Sequence, residues 1–186
     1  MKKTIEEEFL DSEISDSTHK KARKKARNSK QKGNRGEREC KDILNKRFEG
    51  RANFNRSPNS GAFVGGKNFG RRDTLSEDQQ LVFTSDIYCS DSKFKFSIEH
   101  KNYEKIEFWD LFNNSSDLHS WMNQAEHEAK AINKSPMLVC KFNNKKRIVF
   151  IIEKPLDPVF IHHKWNCYWF DDLLNLKDDF FFEGEE

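Results

Sequence analysis

Asp86, Glu99 and Lys101 are the residues whose types and spacing could do chemistry together. The run Phe94 to Lys101 (FKFSIEHK) alternates: Phe94, Phe96, Ile98 and His100 point one way, Lys95, Ser97, Glu99 and Lys101 the other. Strand side chains repeat every two residues, so Glu99 and Lys101 share a face. Leu81 to Tyr88 (LVFTSDIY) reads as the hairpin partner, joined through residues 89–93, and brings Asp86 to the same place. Two carboxylates and an ammonium at one point suit Mg2+ with an open coordination position, the lysine holding or polarising the attacking water. Taken alone, Glu-x-Lys on the wet face of a half-buried strand reads as a cross-strand ion pair, so the rest of the chain has to supply more.

Several elements are needed to position these residues. Asn34 to Phe48 reads as an amphipathic helix, with Cys40, Ile43, Leu44 and Phe48 as its apolar stripe, Asn34 as N-cap and Gly50 as stop. Glu37 falls on that stripe. An inward carboxylate needs a cation or a metal, although a first-turn Glu favoured by the helix dipole explains it as well. Ala52 to Ser57 reads as a short strand, followed by a polar, Gly-rich loop over 62–80. Residues 61–68 (GAFVGGKN) nearly spell a phosphate-binding loop. Asn68 lacks the Mg2+-ligating hydroxyl and no helix pattern follows, so a mobile loop is the better reading. Phe108, Trp109, Leu111 and Phe112 crowd the next segment. Asp117 to Ile132, capped near Ser116 or Asp117, is a second helix that buries Leu118, Trp121, Met122, Ala125, Ala129 and Ile132. Gln124 flanks this stripe and could face a site where helix meets sheet, or be an ordinary exposed glutamine. Pro136 to Phe142 and Arg147 to Ile152 are β-rich runs separated by the turn signal Asn143-Asn144.

The chain has 186 residues, enough for one domain with tails. The expected division is a charged, flexible tail over 1–32, a core over 33–155, and an extension over 156–186 with an acidic end. Hydrophobic content is 35% and charged content 34%, so the 17 Phe residues carry much of the core. Net charge is only +2, but nine Lys/Arg and no acid lie between Lys20 and Arg35. That run is either a solubilising tail or a contact to an anionic partner such as the DNA backbone. Cys40, Cys89, Cys140 and Cys167 are scattered without a CxxC pair, which points to reduced thiols in the cytoplasm. His162, His163 and Cys167 read as core or surface residues, because no second ligand pair accompanies them. The N-terminus is charged throughout and no apolar run approaches the ~20 residues of a membrane span, so the expectation is a soluble, intracellular protein without a membrane partner.

The order is now helix with inward Glu, strand, Arg-Ser loop, strand with Asp, strand with Glu-x-Lys, helix with Gln, two more strands. It resembles the PD-(D/E)XK nuclease superfamily and, more narrowly, the Holliday-junction resolvases of archaea and the related endonucleases of bacterial viruses. The matching pieces are Gly36-Glu37-Arg38-Glu39, Arg56-Ser57, Ser60-Gly61, Ser85-Asp86-Ile87, Ile98-Glu99-His100-Lys101, and Trp121 with Gln124 ahead of 135–139 (SPMLV). The likeness runs from about Gly33 to Ile152. Ser85 stands where the name-giving proline would be, and His100 where many relatives carry a small or sulfur-bearing residue.

The resemblance implies an α/β fold with a restriction-endonuclease-like core, a mixed central β-sheet flanked by helices. It implies metal-dependent hydrolysis of DNA phosphodiesters. Asp86, Glu99 and the backbone carbonyl of His100 would bind Mg2+ (Mn2+ is the alternative), and Glu37 would complete the shell. Lys101 would orient the nucleophilic water, and Gln124 would hold that water or a phosphate. Arg35, Arg56, Ser57, Ser60, Lys67, Arg71 and Arg72 would contact DNA. The expected substrate is a four-way junction cut by a homodimer, in the cytoplasm of an infected bacterial host. Another nuclease of this fold (nicking, repair or restriction type) and a non-catalytic DNA-binding protein are the other readings.

Overall fold

The structure, a computed structural model, describes residues 5–58, 75–112 and 116–184. The chain divides between Arg35 and Gly36 into two units. Helix α1 runs from Ile5 to Arg47. It therefore begins well upstream of Asn34, which lies inside the helix and does not cap it. The helix ends as expected near Gly50, whose φ of +79° is a left-handed conformation that glycine adopts without a Cβ penalty.

The second unit follows from which faces are apolar. Its strands are β1 (Phe54–Arg56), β2 (Ile87–Cys89), β3 (Phe96–Tyr103), β4 (Ser135–Phe142), β5 (Ile148–Ile151), β6 (Phe160–His162) and β7 (Trp165–Trp169). Among the described residues they form one sheet in the order β1-β2-β3-β4-β5-β7-β6. Only β3 and β4 are parallel, with Glu99 opposite Leu138 and Lys101 opposite Cys140. Parallel neighbours need a crossover, supplied here by a 3-10 turn (Phe108–Phe112) and helix α3 (Asp117–Ala131). Ser116 caps α3, its hydroxyl accepting from the His119 amide. The sheet is mixed and flanked by helices, which is the expected fold class.

Period two along β4 shows why both sheet faces are covered. Met137 and Val139 join Cys40 and Leu44 of α1 and Phe48 just beyond its end in one cluster, while Leu138 and Cys140 join Leu118, Trp121, Met122 and Ala125 of α3 in the other. Phe48 is the hub of the α1 side. Its ring centroid lies 5.5 Å from that of Phe54, 5.1 Å from Phe181 and 5.4 Å from Phe182. Residues 156–186 thus supply β6, β7 and the short helices α4 (Phe170–Leu174) and α5 (Asp178–Phe181), whose Phe170, Leu173 and Phe181 lie in the same core. Cys167 is buried within the α3-side cluster and His162 is buried at the end of β6.

The strand expected over 81–88 requires correction. Residues Glu77–Thr84 form helix α2, started by a capping box in which the Ser76 hydroxyl accepts from the Gln79 amide and the Gln79 side chain accepts from the Ser76 amide. Two helix-end donors are satisfied at once, and this local gain overrides the β propensity of Leu81-Val82-Phe83-Thr84. The end of the loop expected over 62–80 is therefore helical, and residues 62–74 lie outside the described residues, as does the near-phosphate-loop at 61–68. No helix among the described residues is long and apolar enough to cross a membrane.

Candidate active site

Strand β3 puts chemistry on one face and packing on the other. Phe96 and Ile98 enter the α1-side core, and His100 and Asn102 follow them toward Gly36 of α1. Glu99, Lys101 and Tyr103 point to α3, where the Tyr103 ring lies 4.4 Å from that of Trp121. The alternation read from the sequence is thus the observed one. The wet face is not: Glu99 is only 3% exposed, because α3 covers the strand.

Lys101 Nζ donates to Glu99 Oε1 at 2.6 Å and to Gln124 Oε1 at 2.9 Å. Gln124 therefore meets the site, but through the lysine. Asp86 lies in the short link between α2 and β2. Its backbone amide donates to Ile98 O at 3.1 Å, its carbonyl accepts from the Ser57 amide at 3.0 Å, and its Oδ2 accepts from the His100 amide at 3.0 Å. Two of these bonds tie Asp86 to β3, one of them through its carboxylate, and the third ties it to Ser57. Glu37 is buried on α1, as its place on the apolar stripe required, and its Oε2 receives Arg56 Nε at 2.7 Å and Arg56 NH2 at 2.5 Å.

The sequence reading missed Glu128. It lies one helical turn beyond Gln124, whose Nε2 donates to Glu128 Oε1 at 3.0 Å. The signal was available in Gln124-x-x-x-Glu128, since residues four apart share a helix face.

Electrostatics bind these groups into one site. Burial raises the pKa of Glu99 well above the usual carboxylate range, and the charges of Asp86 and Glu128 add to it against the opposing pull of Lys101. Burial likewise raises Glu37, with Asp86 adding to it and Arg56 opposing. Burial also raises Glu128. For Lys101 burial acts downward, but Glu99, Asp86 and Glu128 outweigh it and hold the ammonium protonated. Four carboxyl groups face two permanent cations, Arg56 and Lys101. Fully ionised, the cluster carries an excess of two negative charges, which a divalent cation would neutralise. Hard oxygen donors of this kind suit Mg2+ or Mn2+. Among the described residues no three His, Cys, Asp or Glu side chains already converge as a metal-binding group. Asp86 and Glu99 are instead engaged by the His100 amide and by Lys101. The donor set and its charge fit a divalent ion, which would draw these oxygens together.

His100 reaches the site through its backbone. Its imidazole is buried on the opposite face with neither ring nitrogen hydrogen-bonded, and burial, then Arg147 and Lys101, lower its pKa to about 3. The expected DNA contacts divide. Arg35 is exposed on α1. Arg56 is held by Glu37, and Ser57 is buried with its hydroxyl donating to Ser85 O, so Ser57 braces the Asp86 link and does not face outward. Ser60, Lys67, Arg71 and Arg72 lie outside the described residues.

No curated protein matches the chain. Residues 28–165, most of its length, match the family model described as "Phage putative PDDEXK endonuclease". With a mixed sheet between two helical layers, an aspartate clamped to the central strand and a Glu-x-Lys beside it, the chain belongs to this family and is a nuclease of the PD-(D/E)XK superfamily.

Proposed function

We propose that this nuclease, whose superfamily acts on DNA and generally uses divalent metals, hydrolyses phosphodiesters of four-way branched DNA with Mg2+ or Mn2+. The observation that supports the hydrolytic reading is that Asp86 Oδ2 accepts from the amide of His100, the residue between Glu99 and Lys101, whose side chains are themselves bonded. Asp86 and Glu99 would hold the ion. The His100 carbonyl leaves β3 on the same side as its amide, toward Asp86, and would be the third oxygen. Glu37, held by Arg56, would complete the shell. The bound ion supplies Lewis-acid polarisation and lowers the pKa of water. Lys101, fixed by Glu99 and Gln124, orients the attacking water and stabilises the negative charge that develops on the phosphoryl oxygens. The water oxygen bonds to phosphorus as the bond to the leaving oxygen breaks, the water releasing a proton to solvent and the leaving oxygen taking one from it.

Branch selectivity is supported by the resemblance of Gly36-Glu37-Arg38-Glu39 and Ile98-Glu99-His100-Lys101 to junction resolvases. In this reading a homodimer in the cytoplasm of an infected bacterium cuts two strands symmetrically. Phosphate contacts come from Arg35 and the basic run of α1, with Ser60, Lys67, Arg71 and Arg72 beside the branch. The test is to incubate the protein with end-labelled linear, flapped and four-way DNA, with Mg2+, Mn2+ or chelator. Paired symmetric cuts in four-way DNA are expected. Sequence-specific cuts in linear DNA would replace junction resolution with a restriction or nicking activity, and binding without cutting in any metal would remove the hydrolytic reading.

A further inference from the structure

An amide side chain has two unlike ends, a carbonyl that accepts and an NH2 that donates. Gln124 uses both: Oε1 accepts from Lys101 Nζ at 2.9 Å, and Nε2 donates to Glu128 Oε1 at 3.0 Å. The ammonium can only donate and Glu128 Oε1 accepts here, so the two together fix which end of Gln124 faces the lysine. With the amide turned over, an NH2 group would confront the ammonium and a carbonyl would confront a carboxylate. Both contacts would be repulsive.

Lys101 needs such fixing. Its ammonium sits on a flexible four-carbon stem with three equivalent donors. Glu99, from its own strand, is one anchor, and Gln124, from α3, is the second. Two acceptors on different elements define a position, whereas one leaves the stem free to swing. Catalytic groups displaced by about 1 Å can lose 100-fold in rate.

We propose that Glu128 is a positioning residue for the hydrolysis, locking the Gln124 amide so that Lys101 is held at the reacting phosphate. This rests on the reading that Lys101 orients the attacking water. Glu128 is on the same helix face as Gln124 and acts on Lys101 through it, while its carboxyl also hydrogen-bonds that of Glu99.

The test uses the full chain with Glu128→Ala, Glu128→Gln, Gln124→Ala and the Ala double variant. Glu128→Ala should lower kcat by about 10- to 100-fold, on the scale of a displaced catalytic group, with KM for DNA unchanged. Glu128→Gln keeps a carbonyl acceptor for Gln124 Nε2 and should recover most of that loss. The double variant should be no slower than Gln124→Ala alone, because residues acting in series are not additive. A second readout is independent of cleavage. The Gln124 side-chain NH2 resonances should be shifted and protected in the wild type and in Glu128→Gln, and move to free-amide positions in Glu128→Ala. Additive losses in the double variant, or unchanged Gln124 resonances in Glu128→Ala, would overturn the assignment. So would a Glu128→Ala defect that vanishes at saturating metal, since that marks a direct metal ligand. If the wild type cuts no DNA, the hydrolytic reading falls, and the Gln124 resonances alone decide whether Glu128 sets the amide.

Discussion

Lys101 Nζ lies 2.6 Å from Glu99 Oε1, two residues back on the same face of β3, where the carboxylate is 3% exposed. A surface pair of this type is worth little. Buried beneath α3 and beside Asp86 and Glu128, the same pair is what keeps a charge cluster compatible with folding. Removing one partner leaves a buried charge that must protonate or stay uncompensated.

Lys101→Met should therefore cut DNA at least ~100-fold more slowly, the scale seen when a group stabilising the transition state is lost. Binding to four-way DNA should persist, because phosphate contacts dominate affinity. Gel-shift and cleavage assays on one preparation separate the two effects. Undiminished cutting would remove Lys101 from the chemistry.

Glu37→Gln tests the fourth acidic partner. Arg56 is about a quarter exposed (26%) and can turn toward water when its partner loses charge, so the melting temperature should fall only a few degrees. Activity should drop much further if Glu37 completes the metal shell. A variant that melts early yet keeps normal specific activity would make Glu37 a purely structural anchor for Arg56.

At Gly36 α1 passes close to β3. A Cβ there would stand 2.6 Å from His100 Cε1 and 2.6 Å from Asn102 Nδ2. The His100 ring is buried and has no room to move aside. Gly36→Ala is expected to cost about 1–3 kcal/mol, as overpacking does, and to displace the adjacent Glu37. Urea unfolding gives the first quantity and the cleavage rate the second. An unchanged midpoint would mean that the helix crossing relaxes freely.

The buried imidazole of His100 gives stability a pH dependence whose sign is fixed. Its pKa is about 3 in the fold and near the ordinary 6.5 in the unfolded chain. Between those values the unfolded chain binds the extra proton, so stability contributed above pH 6.5 is lost as pH falls toward 3. A shift of this size corresponds to roughly 3–5 kcal/mol across the full window. The raised Glu37, Glu99 and Glu128 work in the opposite direction above pH 4.5, because the fold retains protons that the unfolded chain has released. Comparing the wild type with His100→Leu isolates the histidine, since those carboxyls are common to both. The variant's urea midpoint should fall less between pH 7.5 and 5. Parallel profiles would show that His100 finds a partner for its proton within the fold.

The nine cations between Lys20 and Arg35 should supply affinity without selectivity, because phosphate contacts carry no sequence or branch information. Deleting residues 1–32 should weaken linear and four-way binding together and flatten the salt dependence of both. Loss of junction preference with linear binding intact would give this segment the selective role instead.

The sequence by itself determined the alternation of β3, and with it the pairing of Glu99 with Lys101, because strand geometry leaves no other choice once the register of apolar residues is set. It also determined the inward Glu37 and the α3 stripe, through helical period. Local pattern failed where a short-range cap competed with β propensity: Ser76 and Gln79 turned Leu81–Thr84 into helix. Only the tertiary structure decided that Glu99 is buried, since that depends on α3 returning over the parallel β3–β4 pair from some twenty residues away. It alone placed Arg56 on Glu37, turned Ser57 inward to brace Asp86, and brought Glu128 to Gln124 and the lysine. Those contacts arise between separately folded elements, and no periodicity within one element encodes the distance to another.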